Sequence, residues 1–323
     1  MTAPPITYVT IVFQGDLTLL RLQAQSMARF LEPAAVSSIL LVLNDVDEDR
    51  LRAQLDGMQA LYGRLWPKVR IVSGDTVLHD PQRRRRRSLF ECIYVDNRFR
   101  LPFLRRGGWR GGNGYRLQQA LKLASARAAT SERMVILDGK NIFLRAPFEN
   151  ELFDAAGRAS ATFEPVRPPH HRNWLTESLD VLDVPVDSGD ISETTGYSTP
   201  YPVARQLLLD VLHEIETRHG PVQVLFASKR RPSEFMLIFA YCLKHFGGPD
   251  RAFFRSERGH VGLWAGFDDA TVDRILSETE SRAPLTFGLH RKAAVAMTGP
   301  QRQRILALFD ARGLDARPVL ADA

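Results

Sequence analysis

The segment Arg133-Met134-Val135-Ile136-Leu137-Asp138-Gly139-Lys140-Asn141 joins a short apolar run to an abrupt polar tetrad. Met134 to Leu137 have the pattern of a parallel strand covered on both faces. Asp138 then falls at the strand's carboxyl end, where open α/β sheets bind ligands. Just upstream lies a glycine-rich stretch, Gly107 to Gly114, followed by a helix carrying Tyr115, Gln118, Gln119 and Lys122. Polar groups from two elements therefore converge on one cleft, which marks a binding or catalytic site.

Outward from this strand the chain alternates strands and helices. Residues 6–13, 38–43 and 69–72 read as strands, and helices are expected over about 17–30 and 49–62, with Asp16 as a helix cap. Residues 114–129 read as a helix with Leu117, Leu121, Ala124 and Ala128 on one face and Tyr115, Gln119 and Lys122 on another. Residues 159–164 read as a strand, 165–173 as a loop, and 204–219 as a helix. Ser233 is the expected cap of a helix through Lys244, and a last helix spans about 299–312. The expected fold is α/β, with a mixed, mostly parallel sheet and helices on both faces. Residues 1–298 form one domain, with 299–323 a C-terminal helical extension.

Among the 323 residues, 44% are hydrophobic and 25% charged, ordinary for a soluble globular protein. The start lacks the pattern of a signal peptide, and no apolar run approaches the roughly 20 residues that cross a bilayer. Cys92 and Cys242 form neither a disulfide framework nor a metal site. The expected compartment is the cytoplasm. Ten arginines stand against Glu91 and Asp96 between residues 83 and 110, a local net charge of +8 in a chain of +6. The run Arg83, Arg84, Arg85, Arg86 and Arg87 is thus a local basic patch, suited to solvent, an anionic substrate or peripheral contact with an anionic membrane. No nucleic-acid partner is expected, because the run has no interleaved aromatics and no recognised binding motif accompanies it.

Five segments could carry chemistry. In the first, Asp138 to Asn141, the turn position suits a diphosphate site. Many sugar-nucleotide enzymes place Asp-x-Asp here to hold a divalent metal (Mn²⁺ or Mg²⁺) against two phosphates. Lys140 replaces the second acid, and an ammonium neutralises phosphate directly. The residues fit either a metal-free diphosphate site or a weak metal site built on Asp138. The second segment, residues 105–114, reads as a flexible loop, a mobile lid or an anion-binding nest feeding a helix. The third, 194–202, offers hydroxyls with Tyr197 and Tyr201 for sugar recognition. The fourth is Ser233-Glu234-Phe235, where Glu234 is the candidate general base. The fifth, Leu289-His290-Arg291-Lys292, places a histidine at a strand end, able to ligate a metal or bond a phosphate. His170-His171 is set aside, because adjacent residues in a Pro-rich loop point in different directions.

With these residues in hand, the chain resembles GT-A-type glycosyltransferases, and most of all a bacterial glycosyltransferase-like family of unassigned function. The resemblance rests on Gly114-Tyr115-Arg116-Leu117-Gln118-Gln119-Ala120-Leu121-Lys122-Leu123, then on Leu137-Asp138-Gly139-Lys140-Asn141-Ile142-Phe143, Gly196-Tyr197-Ser198-Thr199-Pro200 and Ser233-Glu234-Phe235. It implies a GT-A-like, Rossmann-like fold that transfers a sugar from a nucleoside diphosphate sugar to a hydroxyl acceptor, saccharide or other. It also implies that Val12, Phe13 and Gln14 face the nucleotide base, that Asp138 sits at the diphosphate and that His290 lies near the same phosphates. The expected catalytic residues are Glu234 and Asp138. Donor binding falls to Phe13, Gln14, Gln119, Lys122, Lys140, Asn141 and Tyr197, and any metal to Asp138 and His290. The alternative is a non-catalytic module that binds a nucleotide or glycan in an inherited cleft.

Overall fold

The structure is a computed structural model that describes residues 4–45, 47–79, 89, 114–167, 169–256, 259–264 and 266–321. Residues 83–87, 105–113 and Cys92, on which three of the sequence expectations fall, lie outside the described residues. Along the chain come β1 (Ile6–Val12), α1 (Leu17–Phe30), β2 (Val36–Leu43), α2 (Glu48–Asp56), α3 (Gln59–Tyr62), β3 (Val69–Ser73) and α4 (Gly74–Leu78). Then follow α5 (Gly114–Ala124), β4 (Arg133–Asp138), β5 (Asn141–Phe143), β6 (Ala159–Ala161), β7 (Phe163–Pro165), α6 (Pro169–Leu182), β8 (Glu193–Thr195) and β9 (Tyr201–Ala204). The remainder holds α7 (Arg205–His219), α8 (Val222–Ala227), α9 (Glu234–Phe246), β10 (Phe253–Arg255), β11 (His260–Leu263), α10 (Asp269–Arg282), β12 (Thr286–Leu289), α11 (Arg291–Ala296), α12 (Gly299–Asp310) and α13 (Arg317–Ala321).

The main sheet has the order β3-β2-β1-β4-β9. All its pairings are parallel except that of β4 with β9. This is the α/β, mostly parallel architecture expected from the sequence. β1 is central because nearly every side chain in it tolerates burial: Tyr8, Val9, Ile11 and Val12 join the core from both faces. Its two buried hydroxyls are satisfied, Thr7 by Ser38 and Ser131, and Thr10 by Gln23. The parallel strands β1, β2 and β4 end together, so Phe13, Asn44 and Asp138 emerge on one edge of the sheet.

A second, three-stranded sheet, β11-β12-β5, continues from the polar tetrad. Helix α1 lies between two cores. Leu17, Leu20, Ala24 and Met27 pack with the main sheet, while Leu19 and Leu22 pack with Ile142, Phe287, Ile305 and Phe309. The helical period separates these two stripes. No helix among the described residues is long and apolar enough to cross a membrane.

Several local expectations are corrected. The helix expected over 49–62 is two, α2 and α3, parted at Gly57 and Met58. The helix expected over 114–129 ends at Ala124 and tightens to a 3₁₀ turn over Ser125–Arg127. The strand expected over 159–164 is two short strands, β6 and β7. The expected loop at 165–173 contains the first turn of α6, because Pro169 occupies the first helical position, where its missing N–H costs nothing.

Gln23, fully buried on α1, ties this framework to the tetrad. Its Nε2 donates to the carbonyls of Asp138 (2.8 Å) and Asn141 (3.1 Å), and its Oε1 accepts from Thr10 Oγ1 (3.0 Å). Gln23→Leu keeps the volume but leaves three polar groups without this partner. It should lower unfolding free energy by about 2–5 kcal/mol in denaturant titration. A loss below about 1 kcal/mol would show that the tetrad holds its shape without Gln23.

Candidate functional site

The site begins at the end of β4. The turn after it is closed by Asn141, whose Oδ1 accepts from the Asp138 backbone N–H (2.7 Å) and whose Nδ2 donates to the Thr199 carbonyl (3.1 Å). This closure aims the Asp138 side chain outward. Its Oδ1 accepts from Lys122 Nζ (2.9 Å) and Gln118 Nε2 (3.1 Å). Its Oδ2 accepts from Lys140 Nζ (3.0 Å) and Thr199 Oγ1 (2.9 Å). Burial alone would raise the pKa of this carboxyl, but the two lysines beside it hold it well below the usual carboxylate range.

Lys122 projects from α5 and is shared. It also meets Glu234 Oε1 at 3.1 Å, at the first turn of α9, and lies 5.2 Å from the centre of the Phe235 ring. Its side chain is only 7% exposed, and burial opposes its charge. Asp138 and Glu234 nonetheless push its pKa well above the lysine range. Ser233 caps α9 by backbone conformation only, and its hydroxyl donates to Glu234 Oε2 at 3.3 Å. The result is an alternating chain of charges, Glu234–Lys122–Asp138–Lys140.

Around it opens a cleft of about 1300 Å³ at the carboxyl edge of the sheet. On one side stand Phe13, Asn44 and Asp45 at the ends of β1 and β2, and on the other Tyr197, His171 and Trp174 on the β9 side. A third wall carries Trp264, His290, Arg291 and Lys292. The Lys140 ammonium sits 4.3 Å from the Trp264 ring centre, and Trp264 stacks on His290 at 5.1 Å. His290 caps α11, its Nδ1 accepting the Lys292 backbone N–H at 3.2 Å. Its pKa is lowered by burial and by Lys140, Lys292 and Arg291. The neutral ring therefore carries its proton on Nε2 and presents a donor.

Most of the sequence candidates meet here. Asp138, Glu234, Phe13, Gln119, Lys122, Lys140, Tyr197 and His290 all line the cleft. Two do not. Asn141 is fully buried and its amide is spent on the turn, so it shapes the site rather than facing it. Gln14 is not among the cleft residues, and its backbone N–H donates to Asp45 Oδ2 at 2.8 Å. A Cβ on Gly15 beside it would lie 2.6 Å from both the Phe13 ring and the Arg291 guanidinium, so a larger residue there would displace these two cleft side chains. Of the residues set aside or passed over, His170, His171, Trp174, Trp264 and Asp16 all line the cleft. Asp16 occupies the cap position of α1 but makes no side-chain capping bond. It lies against Gly139, and burial raises its pKa to about 6, with Arg291 and Lys140 opposing and Asp138 reinforcing the rise. A Gly-Asp pair before a helical period is a cap signal, which hid this second acid.

The donor set does not fit the divalent metal expected at Asp138 and His290. Both Asp138 oxygens face ammonium groups, which repel a second cation, and His290 presents an N–H rather than a lone pair. Among the described residues no group of three or more His, Cys, Asp or Glu side chains is arranged to hold a metal ion.

Residues 5–260 match a family of unknown function, DUF6492. The chain belongs to this family. Among curated proteins none matches it in sequence. Among solved structures, this DUF6492 member is similar to the apo-form glycosyltransferase GlyE of Streptococcus pneumoniae, with 11% identity over 98% of this chain and a TM-score of 0.44. It spans 62% of that longer GlyE chain. A second similar structure is glucosyl-3-phosphoglycerate synthase of Mycobacterium tuberculosis in complex with Mn²⁺, UDP-glucose and phosphoglyceric acid. That pair shows 13% identity over 78% of this chain and 69% of the other, with a TM-score of 0.36.

The raised pKa of Asp16 has a measurable sign. In the unfolded chain this carboxyl titrates near 3.9, so the fold loses stability as pH rises from there to about 6, and the loss is constant above. Asp16→Asn removes the ionisation. Its melting temperature should exceed that of the wild type above pH 6, with the gap shrinking through pH 6 to 4 and levelling off below. A gap that does not change with pH would place Asp16 in an ordinary solvated setting.

Proposed function

We propose that this protein binds a nucleoside diphosphate sugar with the diphosphate over Asp138 and Lys140, and transfers the sugar to a hydroxyl acceptor. The observation that carries this reading is the paired-lysine setting of Asp138 at the carboxyl end of β4, lining a cleft of about 1300 Å³. The motif resemblance to GT-A-type glycosyltransferases supports it. Phe13, Asn44 and Asp45 lie where a nucleoside would rest. Lys140, Arg291, Lys292 and the His290 Nε2–H are the donors for phosphate oxygens, as point charges and a neutral N–H.

In the reaction the bond from the anomeric carbon to the diphosphate breaks, and negative charge builds on the leaving phosphate. Fixed cations at that position favour the transition state without reorganising. The acceptor hydroxyl forms the new bond to the anomeric carbon and gives its proton to a base. Glu234 is our candidate, through Oε2. Its Oε1 is held by Lys122, whereas among the described residues Oε2 accepts only the long Ser233 contact. The ion pair of Glu234 with Lys122 is also the observation that favours the alternative, a module that binds without turnover.

Thermal shift with a panel of nucleoside diphosphates and their sugars, each with Mn²⁺ and with EDTA, tests the reading. A ligand at 100 times its Kd adds about 2.7 kcal/mol of stability, a visible shift. We expect a selective shift with one nucleotide sugar, unaltered by EDTA. Lys140→Ala should weaken that binding about tenfold or more. Loss of the shift in EDTA would overturn the lysine-based diphosphate site, and no shift with any ligand would overturn the reading as a whole. Glu234→Gln should reduce turnover by about 10²-fold with donor affinity kept. Turnover near the wild-type value would remove Glu234 as base. Binding without turnover on any hydroxyl acceptor would favour the module.

A further inference from the structure

We propose that His171, Trp174 and Tyr197 form a saccharide-binding subsite, the acceptor end of the cleft. The inference rests on the nucleotide-sugar reading above and adds the acceptor's chemical class and the residues that recognise it.

Position comes first. The main-sheet order places β1 and β2 on one side of β4 and β9 on the other. Asp138 therefore stands between the Phe13 end of the cleft and the segment that leads into β9. Thr199 in that segment donates its hydroxyl to Asp138, and Tyr197 is two residues earlier. Two residues of chain span at most about 7 Å, so the Tyr197 backbone lies close to Thr199 and its contact with the carboxylate. The segment is pinned there: the Gly196 N–H donates to the Thr162 carbonyl at 2.7 Å. A Cβ on Gly196 would lie 2.7 Å from the Thr162 hydroxyl, so only glycine allows this approach.

The chemistry of the wall is amphipathic. The Tyr197 and His171 rings are 3.8 Å apart, and Trp174 lies 5.2 Å from His171 and 5.1 Å from His170. These rings pack tilted and edge-on against one another. They make a wall rather than a cage around a void, which suits the C–H face of a pyranose better than a quaternary ammonium. His171 supplies the polar element. It is 7% exposed, lines the cleft, and its Nδ1 has no hydrogen-bond partner among the described residues. A buried polar atom without a partner is unfavourable, and a ligand hydroxyl would satisfy it. Burial and His170 hold the ring below its ordinary pKa, so it is neutral and able to donate or accept. An apolar aromatic wall with one buried polar contact beside it is the pattern of small-ligand sites that fix orientation.

The test is saturation-transfer NMR on the full chain with methyl glycosides of glucose, galactose, mannose and N-acetylglucosamine, with and without a nucleoside diphosphate. At least one glycoside should give a signal, strongest on the protons of one ring face. Trp174→Ala should weaken its affinity about tenfold or more, and Trp174→Phe should restore most of it. Because Trp174→Ala can fail to fold, His171→Phe gives a second reading. It keeps the ring and removes the orphaned nitrogen, so a purely structural histidine predicts a more stable protein with unchanged glycoside affinity. The subsite predicts a more stable protein with weakened affinity. Nucleotide binding with no glycoside signal, or a signal unchanged in both variants, would overturn this inference and leave the donor reading standing. Glycoside binding with no nucleotide binding would instead overturn the donor reading.

Discussion

Four charges that must neutralise one another organise this molecule. Withdrawing an ion from water costs several kcal/mol even after relaxation, and the cost is recovered only when partners are placed well. Glu234, Lys122, Asp138 and Lys140 meet that condition by alternating in sign along a chain of contacts of 2.9 to 3.1 Å. Each comes from a different place: α9, α5, the end of β4 and the turn beyond it. Removing an interior member leaves two neighbours uncompensated. The docking of two helices onto the sheet edge is therefore fixed by electrostatics as well as by packing. The low pKa of Asp138 means that this part of the stability is present above the carboxylate range and is lost as pH falls through the folded pKa.

The backbone around the charges is held by neutral groups that have no exposure at all. Gln23 and Asn141 are both fully buried, and their amides take up the carbonyls and N–H that the sharp turn after β4 would otherwise leave unpaired. Gln23 can do this because α1 runs between two cores and presents one residue to the gap between its apolar stripes. Thr199 closes the arrangement from the other side, its carbonyl on Asn141 and its hydroxyl on Asp138. The polar turn is thus as specified as any core position, and the side chains it aims can be as well.

Much of this was legible in the sequence, and the omissions have physical causes. The strands β1, β2 and β4 declare themselves as apolar runs, and the carboxyl-edge rule then finds Asp138. Lys122 and Glu234 are each visible as polar residues at the right place on a helix. That they share one contact is not visible, because nothing local links α5 to α9. Asn141 looked like a ligand because a polar turn looks alike whether its amide faces in or out. His170 and His171 followed prolines and read as loop, although a proline at the first helical position is equally a start signal. Trp264 was missed because the strand before it, β11, is four residues long and contains Gly262.

The two lysines on Asp138 are not equivalent, and the difference bears on what the cleft can do. Lys122 is nearly closed off, at 7% exposure, and spans two carboxylates, so its charge is spent within the protein. Lys140 is more open, at 18%, and divides itself between one Asp138 oxygen and the face of Trp264. An aromatic face holds an ammonium less firmly than a carboxylate does, and leaves its N–H donors available on the outer side. The alternating chain is neutral in sum, two acids against two lysines. The cations beyond it, Arg291 and Lys292, are opposed by Asp16, whose own ionisation burial disfavours. With a pKa of about 6, Asp16 is nonetheless mostly ionised near neutral pH, and Asp45 adds a further acid to the lining, so the cations form a local cluster rather than a uniformly positive cleft. What the cleft offers an anion is therefore local: the open N–H donors of Lys140, with Arg291 and Lys292 on the same wall.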